Sequence, residues 1–170
     1  MSPSSVSLDS LQHRIAYHFT RPALLERALT HKSVGADNNE RLEFLGDSLL
    51  NAIIAEALFL RDADIAEGTM TTARATLVKG RTLADIGFDL GLDQLLQLGK
   101  GERKSSSRVK RSIVGDAVEA VIAAVYLDSN FDTCRQMVLS VYRERLAQAS
   151  IMPDSKDPKT AVQERMQSLK

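Results

Sequence analysis

Five carboxylates in this chain sit where carboxylates are costly. Glu40, Glu43 and Asp47 fall in the string Asn39-Glu40-Arg41-Leu42-Glu43-Phe44-Leu45-Gly46-Asp47-Ser48, and Asp116 and Glu119 in Gly115-Asp116-Ala117-Val118-Glu119-Ala120. At about 100° per residue the first three share one face of a helix, within about 60° of one another, and the second pair lies one turn apart. An ionised side chain inside an apolar helix is strongly destabilised unless something positive meets it, and like charges this close repel. Such a set calls for protons, basic partners or divalent cations, and its all-oxygen donors favour Mg²⁺ or Mn²⁺.

The bland alternative is a solvated helix face, on which acids at these spacings only keep the surface wet. It is weakened because residues 42–60 and 113–127 are too apolar to be fully exposed, and because two separate segments carry the same anomaly. Glu56, Asp62 and Asp64 read as ordinary surface acids. His31, in Thr30-His31-Lys32-Ser33, reads as a structural hydrogen-bonding residue, because nothing near it in sequence completes a catalytic pair. Ser48 and Cys134 are weaker candidates for nucleophiles.

The elements that must position these acids are helical. Apolar residues recur at helical spacing nearly throughout, and no stretch alternates cleanly as a strand would. Helices are expected over residues 7–17, from Pro22 through Leu29, over 39–61, over 69–80, over 81–90 with a stop at Gly91, over 113–127 and over 132–149. Loops should cover 33–39 and 62–68. Residues 99–112 hold six basic side chains against one acid and read as an exposed loop bringing positive charge to the mouth of a site built on Asp116 and Glu119.

Composition sets outer limits. The 170 residues are 44% hydrophobic, with 22 basic and 22 acidic side chains, the make-up of one soluble domain with a real core and no bulk charge to attract nucleic acid. A single cysteine rules out an internal disulfide and a Cys/His zinc set, and suits a reducing, cytoplasmic compartment. The stretch 49–60 is too short to span a bilayer and contains Glu56, and the N-terminus has no export-signal pattern, so no membrane association is expected.

The string at 39–48 resembles the signature of the ribonuclease III endonuclease domain. Leu25, Ala28-Leu29-Thr30-His31 and Ser33 resemble that family's entry segment, and Glu67-Gly68, Arg74-Ala75, Leu77-Val78, Gly99-Lys100-Gly101-Glu102 and Asp116-Ala117-Val118-Glu119-Ala120 follow in order. Asp157-Pro158-Lys159-Thr160 with Gln163-Glu164 resembles the linker and first helix of a double-stranded-RNA-binding domain. The resemblance implies a catalytic domain over 1–150, a linker over 151–158, and at 159–170 the start of a truncated RNA-binding domain. The sequence departs from the family in the basic segment, where Ser105-Ser106-Ser107 stands in place of a frequent glycine pair.

The resemblance further implies an all-α fold of the ribonuclease III endonuclease type and a Mg²⁺ site of Glu43, Asp47, Asp116 and Glu119, with Mn²⁺ able to substitute and no small-molecule cofactor. Asp47 and Glu119 would be the catalytic pair, Glu119 as a direct ligand. Glu40 and Glu67 take outer acidic positions that serve substrate placement or the dimer junction. Lys100, Arg108, Lys110 and Arg111 would meet RNA, and Phe44 would enter a pocket of a second copy, although an aromatic at this spacing is more often core. The implied activity is Mg²⁺-dependent endonucleolytic hydrolysis of double-stranded RNA by a homodimer. It would leave 5′-phosphate and 3′-hydroxyl ends with short 3′ overhangs, in the processing of ribosomal and other structured RNA precursors. The alternative is a non-catalytic dimeric module that binds duplex RNA.

Overall fold

The computed structural model describes residues 7–61, 63–105 and 109–149. Among them the elements are α1 (Leu8–Arg14), α2 (Pro22–Ala28), α3 (Glu40–Phe59), α4 (Glu67–Val78), α5 (Gly80–Asp89), α6 (Leu92–Leu95), α7 (Lys100–Ser105), α8 (Arg111–Asp128) and α9 (Phe131–Gln148). The only pairing of strand type among these residues is one isolated parallel bridge, Thr30 to Gln97. The all-helical expectation holds. The linker over 151–158, the segment 159–170, Asp62 and Arg108 lie outside the described residues.

The central helix is α8. Ile113, Val114, Gly115, Ala117, Val118 and every residue from 120 to 125 are buried, and a helix apolar on all sides must be enclosed by others. Helix α3 runs along one flank and α5 along another, while α2, α6 and α9 close the remainder. From α3, Leu50, Ile53 and Ile54 enter the core with no exposed surface. Each such side chain stabilises by about 1.5–3 kcal/mol, more than a surface ion pair such as Arg135 with Glu56, worth about 0–1 kcal/mol. Apolar burial therefore fixes the position of α3, and the charges on its outer face are free for other work.

Small residues set the closest approaches. A Cβ on Gly46 would lie 1.8 Å from the carbonyl oxygen of Glu119, so α3 and α8 touch backbone to backbone there. A Cβ on Gly87 of α5 would lie 2.4 Å from Val114 Cγ1. Gly91, expected as a helix stop, has φ 75° and ψ 24°, the left-handed geometry that glycine adopts without strain.

Local chemistry explains the helix ends. Ser7 and Ser10 cap α1 reciprocally: Ser7 Oγ accepts from the Ser10 N–H and Ser10 Oγ from the Ser7 N–H. Pro22 opens α2 as expected. At the start of α3 Asn39 occupies the N-cap position, where the helix was expected to begin, but its side chain bonds no helix N–H. Asn39 is buried and donates its amide to the Ala28 carbonyl at 3.3 Å, and Asn38 Oδ1 accepts from the Glu40 N–H at 3.0 Å.

Two expectations need correction. Residues 99–112 are not wholly a loop, because Lys100–Ser105 form α7. The Gly99 N–H is tied to Ser33 Oγ at 2.9 Å and the Arg103 N–H to the Gly99 carbonyl at 3.1 Å, and Lys, Glu and Arg extend a turn so started. Helix α4 begins at Glu67 and ends at Val78, with extended Lys79 alone dividing it from α5. The turn of helix α6 carries no periodicity long enough to be read from sequence.

The connection between α1 and α2 is fastened to the far end of α8. The Asp128 side chain is fully buried and accepts from the Tyr17 hydroxyl at 2.7 Å, the Thr20 N–H and hydroxyl at 2.8 and 2.9 Å, and the Arg21 N–H and Nε at 3.0 Å each. Burial alone would raise its pKa, but these donors prevail and hold it far below the usual carboxylate range.

Candidate metal centre

Two helices deliver the acids. Glu40 and Glu43 occupy the first turn of α3, where the helix dipole favours negative charge, and Asp116 and Glu119 stand on successive turns of α8. Because Gly46 allows backbone contact at Glu119, the two acid-bearing stretches meet. Carboxylate oxygens of Glu43, Asp116 and Glu119 lie within 4.8 Å of one another, each residue half-buried.

The electrostatics are those of a site short of positive charge. Burial raises the pKa of Glu119, with Asp47, Glu43 and Asp116 adding repulsion, to about 8. Burial also raises Glu43, with Asp116 next and Lys32 opposing. Asp116 is raised by burial, against the pull of His31 and Lys32. Three desolvated carboxylates that resist ionisation together form a cage a hard divalent cation would neutralise. The donor set fits such an ion: oxygens only, from two rigid helices, with solvent access left for further ligands.

Asp47, expected with the ligands, lies outside that trio. It is exposed, and its Oδ1 and carbonyl accept from Asn51 Nδ2 at 2.9 and 3.0 Å; its charge nevertheless reaches Glu119. Glu40 is exposed and paired with Lys32 at 3.0 Å. Glu67 starts α4 and accepts from the Thr71 hydroxyl at 2.6 Å. It lines a cleft of about 350 Å³ with Ala55, Phe59, Met70 and Arg74, apart from the acid trio. Phe44, next to Glu43, is 79% exposed and so is not core.

The basic segment is partly committed within the chain. Lys100 is exposed on α7, Lys110 pairs with Glu102, and Arg111 binds Asp85 and the Arg81 carbonyl and lies over the Phe88 ring at 5.6 Å. Arg108 is outside the described residues. His31 has the expected hydrogen-bonding role, its Nδ1 being 2.8 Å from Ser33 Oγ and accepting from the Ser33 N–H. Lys32, beside it, was not singled out from sequence, since one lysine in a polar loop carries no signal until the fold sets it against the acids.

Helices closed around an acid trio of this kind define an all-helical domain whose central carboxylates could hold a divalent cation. A family model described as Ribonuclease-III-like matches residues 21–146. The ribonuclease 3 of Alkalilimnicola ehrlichii is 51% identical over 160 residues, covering 94% of this chain and 70% of that protein, and the ribonuclease 3 of a Marinomonas species is 50% identical over 162 residues, covering 95% and 71%. The nuclease domain of ribonuclease III from Campylobacter jejuni superposes with a TM-score of 0.79 at 36% identity, covering 84% of this chain and 97% of that one. Dicer from Pichia stipitis superposes at 0.62 with 25% identity, over 82% of this chain and 62% of that one. The chain belongs to the ribonuclease III family. Its chemistry is accordingly that of an endoribonuclease, a hydrolase of phosphodiester bonds.

Proposed function

We propose that this chain cuts double-stranded RNA as a cytoplasmic homodimer using Mg²⁺, with Mn²⁺ able to substitute. The observation that carries the reading is the trio of half-buried carboxylates from α3 and α8 within 4.8 Å of one another. Glu43, Asp116 and Glu119 hold the cation, and Asp47 completes the set from the next turn of α3. When bound, such a cation supplies a more acidic water and charge neutralisation at the phosphoryl oxygens. Water adds to phosphorus as the P–O3′ bond breaks and the 3′ oxygen takes a proton, leaving a 5′-phosphate and a 3′-hydroxyl. The staggered cuts of two subunits give short 3′ overhangs, a chemistry suited to maturing ribosomal and other structured precursors.

Aromatic residues make up 5% of the chain and tryptophan is absent, a surface suited to reading backbone and shape more than stacking on single strands. Lys100, Arg108, Lys110 and Arg111 add positive charge near the path of a duplex, and Glu40 and Glu67 act at its margins. Incubated with a perfect RNA duplex of a few dozen base pairs at low salt, the chain is expected to cut with Mg²⁺ and to stop with chelator. Duplex binding without cutting under either Mg²⁺ or Mn²⁺ would favour the non-catalytic module instead.

The dimer rests on the exposure of Phe44 beside the site. A related solved structure, 36% identical with a TM-score of 0.78, is described as showing structural flexibility in a region involved in dimer formation of the Campylobacter jejuni nuclease domain. Light scattering at micromolar concentration should give twice the chain mass, and Phe44→Ala should shift it toward the monomer. A wild-type mass of one chain would remove the homodimer from this reading.

A further inference from the structure

Lys32 stands beside the acid trio on an unusually well-fastened loop. On one side of it the His31 N–H donates to the Gln97 carbonyl at 3.0 Å, and on the other Ser33 Oγ accepts from the Gly99 N–H at 2.9 Å. A Cβ on Gly99 would lie 2.2 Å from the Ser33 carbonyl, so the two segments are in close contact. The loop's ends are buried: the Thr30 hydroxyl donates to the Glu26 carbonyl at 2.8 Å, and the Asn39 N–H to the Thr30 carbonyl at 2.9 Å. A long flexible cation therefore rises from a rigid base.

Its charge is directed at the site. Lys32 acts electrostatically on both Glu43 and Asp116, and His31 acts on Asp116 with it. Yet Lys32 bonds to neither, its Nζ being 3.0 Å from Glu40 Oε1 with the two side chains 61% and 52% exposed. An ion pair so exposed is weak and readily exchanged. Lysine is a common phosphate binder, and Lys32 lies close enough to the trio for its charge to act on Glu43 and Asp116, so a phosphate drawn to a cation there would approach this side chain.

We propose that Lys32 leaves Glu40 to bind a non-bridging oxygen of the phosphate being cut, with Glu40 holding the lysine ready beside the site in the free protein. This rests on the metal-site reading above and adds a residue of the chain to it. The electrostatics give the proposal a distinctive signature. Lys32 opposes a cation in the trio and favours a phosphate next to it, so its removal should affect the two in opposite directions.

The test uses Lys32→Gln and Lys32→Arg in the full chain, with Mn²⁺ affinity measured on the RNA-free protein and kcat and KM measured on an RNA duplex. Lys32→Gln is expected to bind Mn²⁺ as tightly as wild type or up to about threefold tighter. Its kcat at saturating Mn²⁺ should fall by about tenfold or more, with KM changed by less, as for the loss of a donor to developing charge. Lys32→Arg, which keeps the cation, should restore most of kcat. Wild-type kcat in Lys32→Gln would overturn the proposal, as would a matched loss of Mn²⁺ affinity and kcat in both variants, the mark of a deformed loop. A wild-type chain that neither binds Mn²⁺ nor cuts would overturn the metal-site reading, and this proposal with it.

Discussion

Glu119→Gln is expected to lower the rate of duplex cutting at saturating Mg²⁺ by about 10³-fold, the scale of losing one group that organises charge in the transition state. Duplex binding and dimer mass should change little, because the side chain keeps its volume and α8 its packing. The same variant should change the pH dependence of stability without metal. Glu119 titrates at about 8 in the folded chain against an ordinary 4.5, so the unfolded chain releases this proton first as pH rises. Stability is therefore lost between roughly pH 4.5 and 8, and Glu43 and Asp116, also raised, act in the same direction. With chelator present, Glu119→Gln should melt close to wild type near pH 4.5 and above it near pH 8. Excess Mg²⁺ should close or reverse that gap, because only the wild type gains from binding. Parallel melting curves across the pH range, or undiminished cutting, would contradict the placement of Glu119 at the centre of the site.

The second large effect is expected from Gly46→Ala, far smaller in chemical change. The added methyl would begin 1.8 Å from the Glu119 carbonyl oxygen and 2.4 Å from its carbon, and both are backbone atoms that cannot swing aside. The helices must separate, as non-bonded carbons prefer about 3.5–4.0 Å. Overpacking of this kind costs about 1–3 kcal/mol or more, and each kcal/mol lowers the melting temperature of a domain this size by about 2–4 °C. The separation also pulls Glu43 from Asp116 and Glu119, so Mn²⁺ affinity should fall with stability. Gly68→Ala, where a Cβ meets nothing within 4 Å, is the matched control and should do neither. Wild-type melting and Mn²⁺ affinity in Gly46→Ala would mean that the close approach of α3 and α8 does not set the site.

Much of this was legible in the chain. The apolar runs over residues 42–60 and 113–127 marked two buried helices, and the acids in them marked a candidate site, because burial and charge conflict wherever they coincide. The resemblance at residues 39–48 identified the family. Other features needed three dimensions. Asp47 shares a helical face with Glu43, but a face about 60° wide does not tell which carboxylates an opposing helix meets, and α8 meets Glu43. Phe44, assigned to a dimer interface through the resemblance while its type alone would suit a core, is solvent-exposed by position. Lys110 and Arg111 read as free cations and are paired with Glu102 and Asp85, partners that only the fold brings near. Gly46 belongs to the signature string, but the reason for it, the Glu119 backbone, lies more than seventy residues away.

The central position of α8 also governs when the protein can fold. Helical domains usually form quickly because their contacts are local, but here the helix on which α2, α3 and α5 pack begins only at Arg111. During synthesis the first hundred residues can pack α3 against α4 and α4 against α5, but they lack the helix on which most of the core is built. Chain entropy must be overcome across that span before the core gives most of its return. The same segment carries Asp116 and Glu119, so a chain made only to residue 110 lacks both the central helix and two of the three carboxylates of the trio.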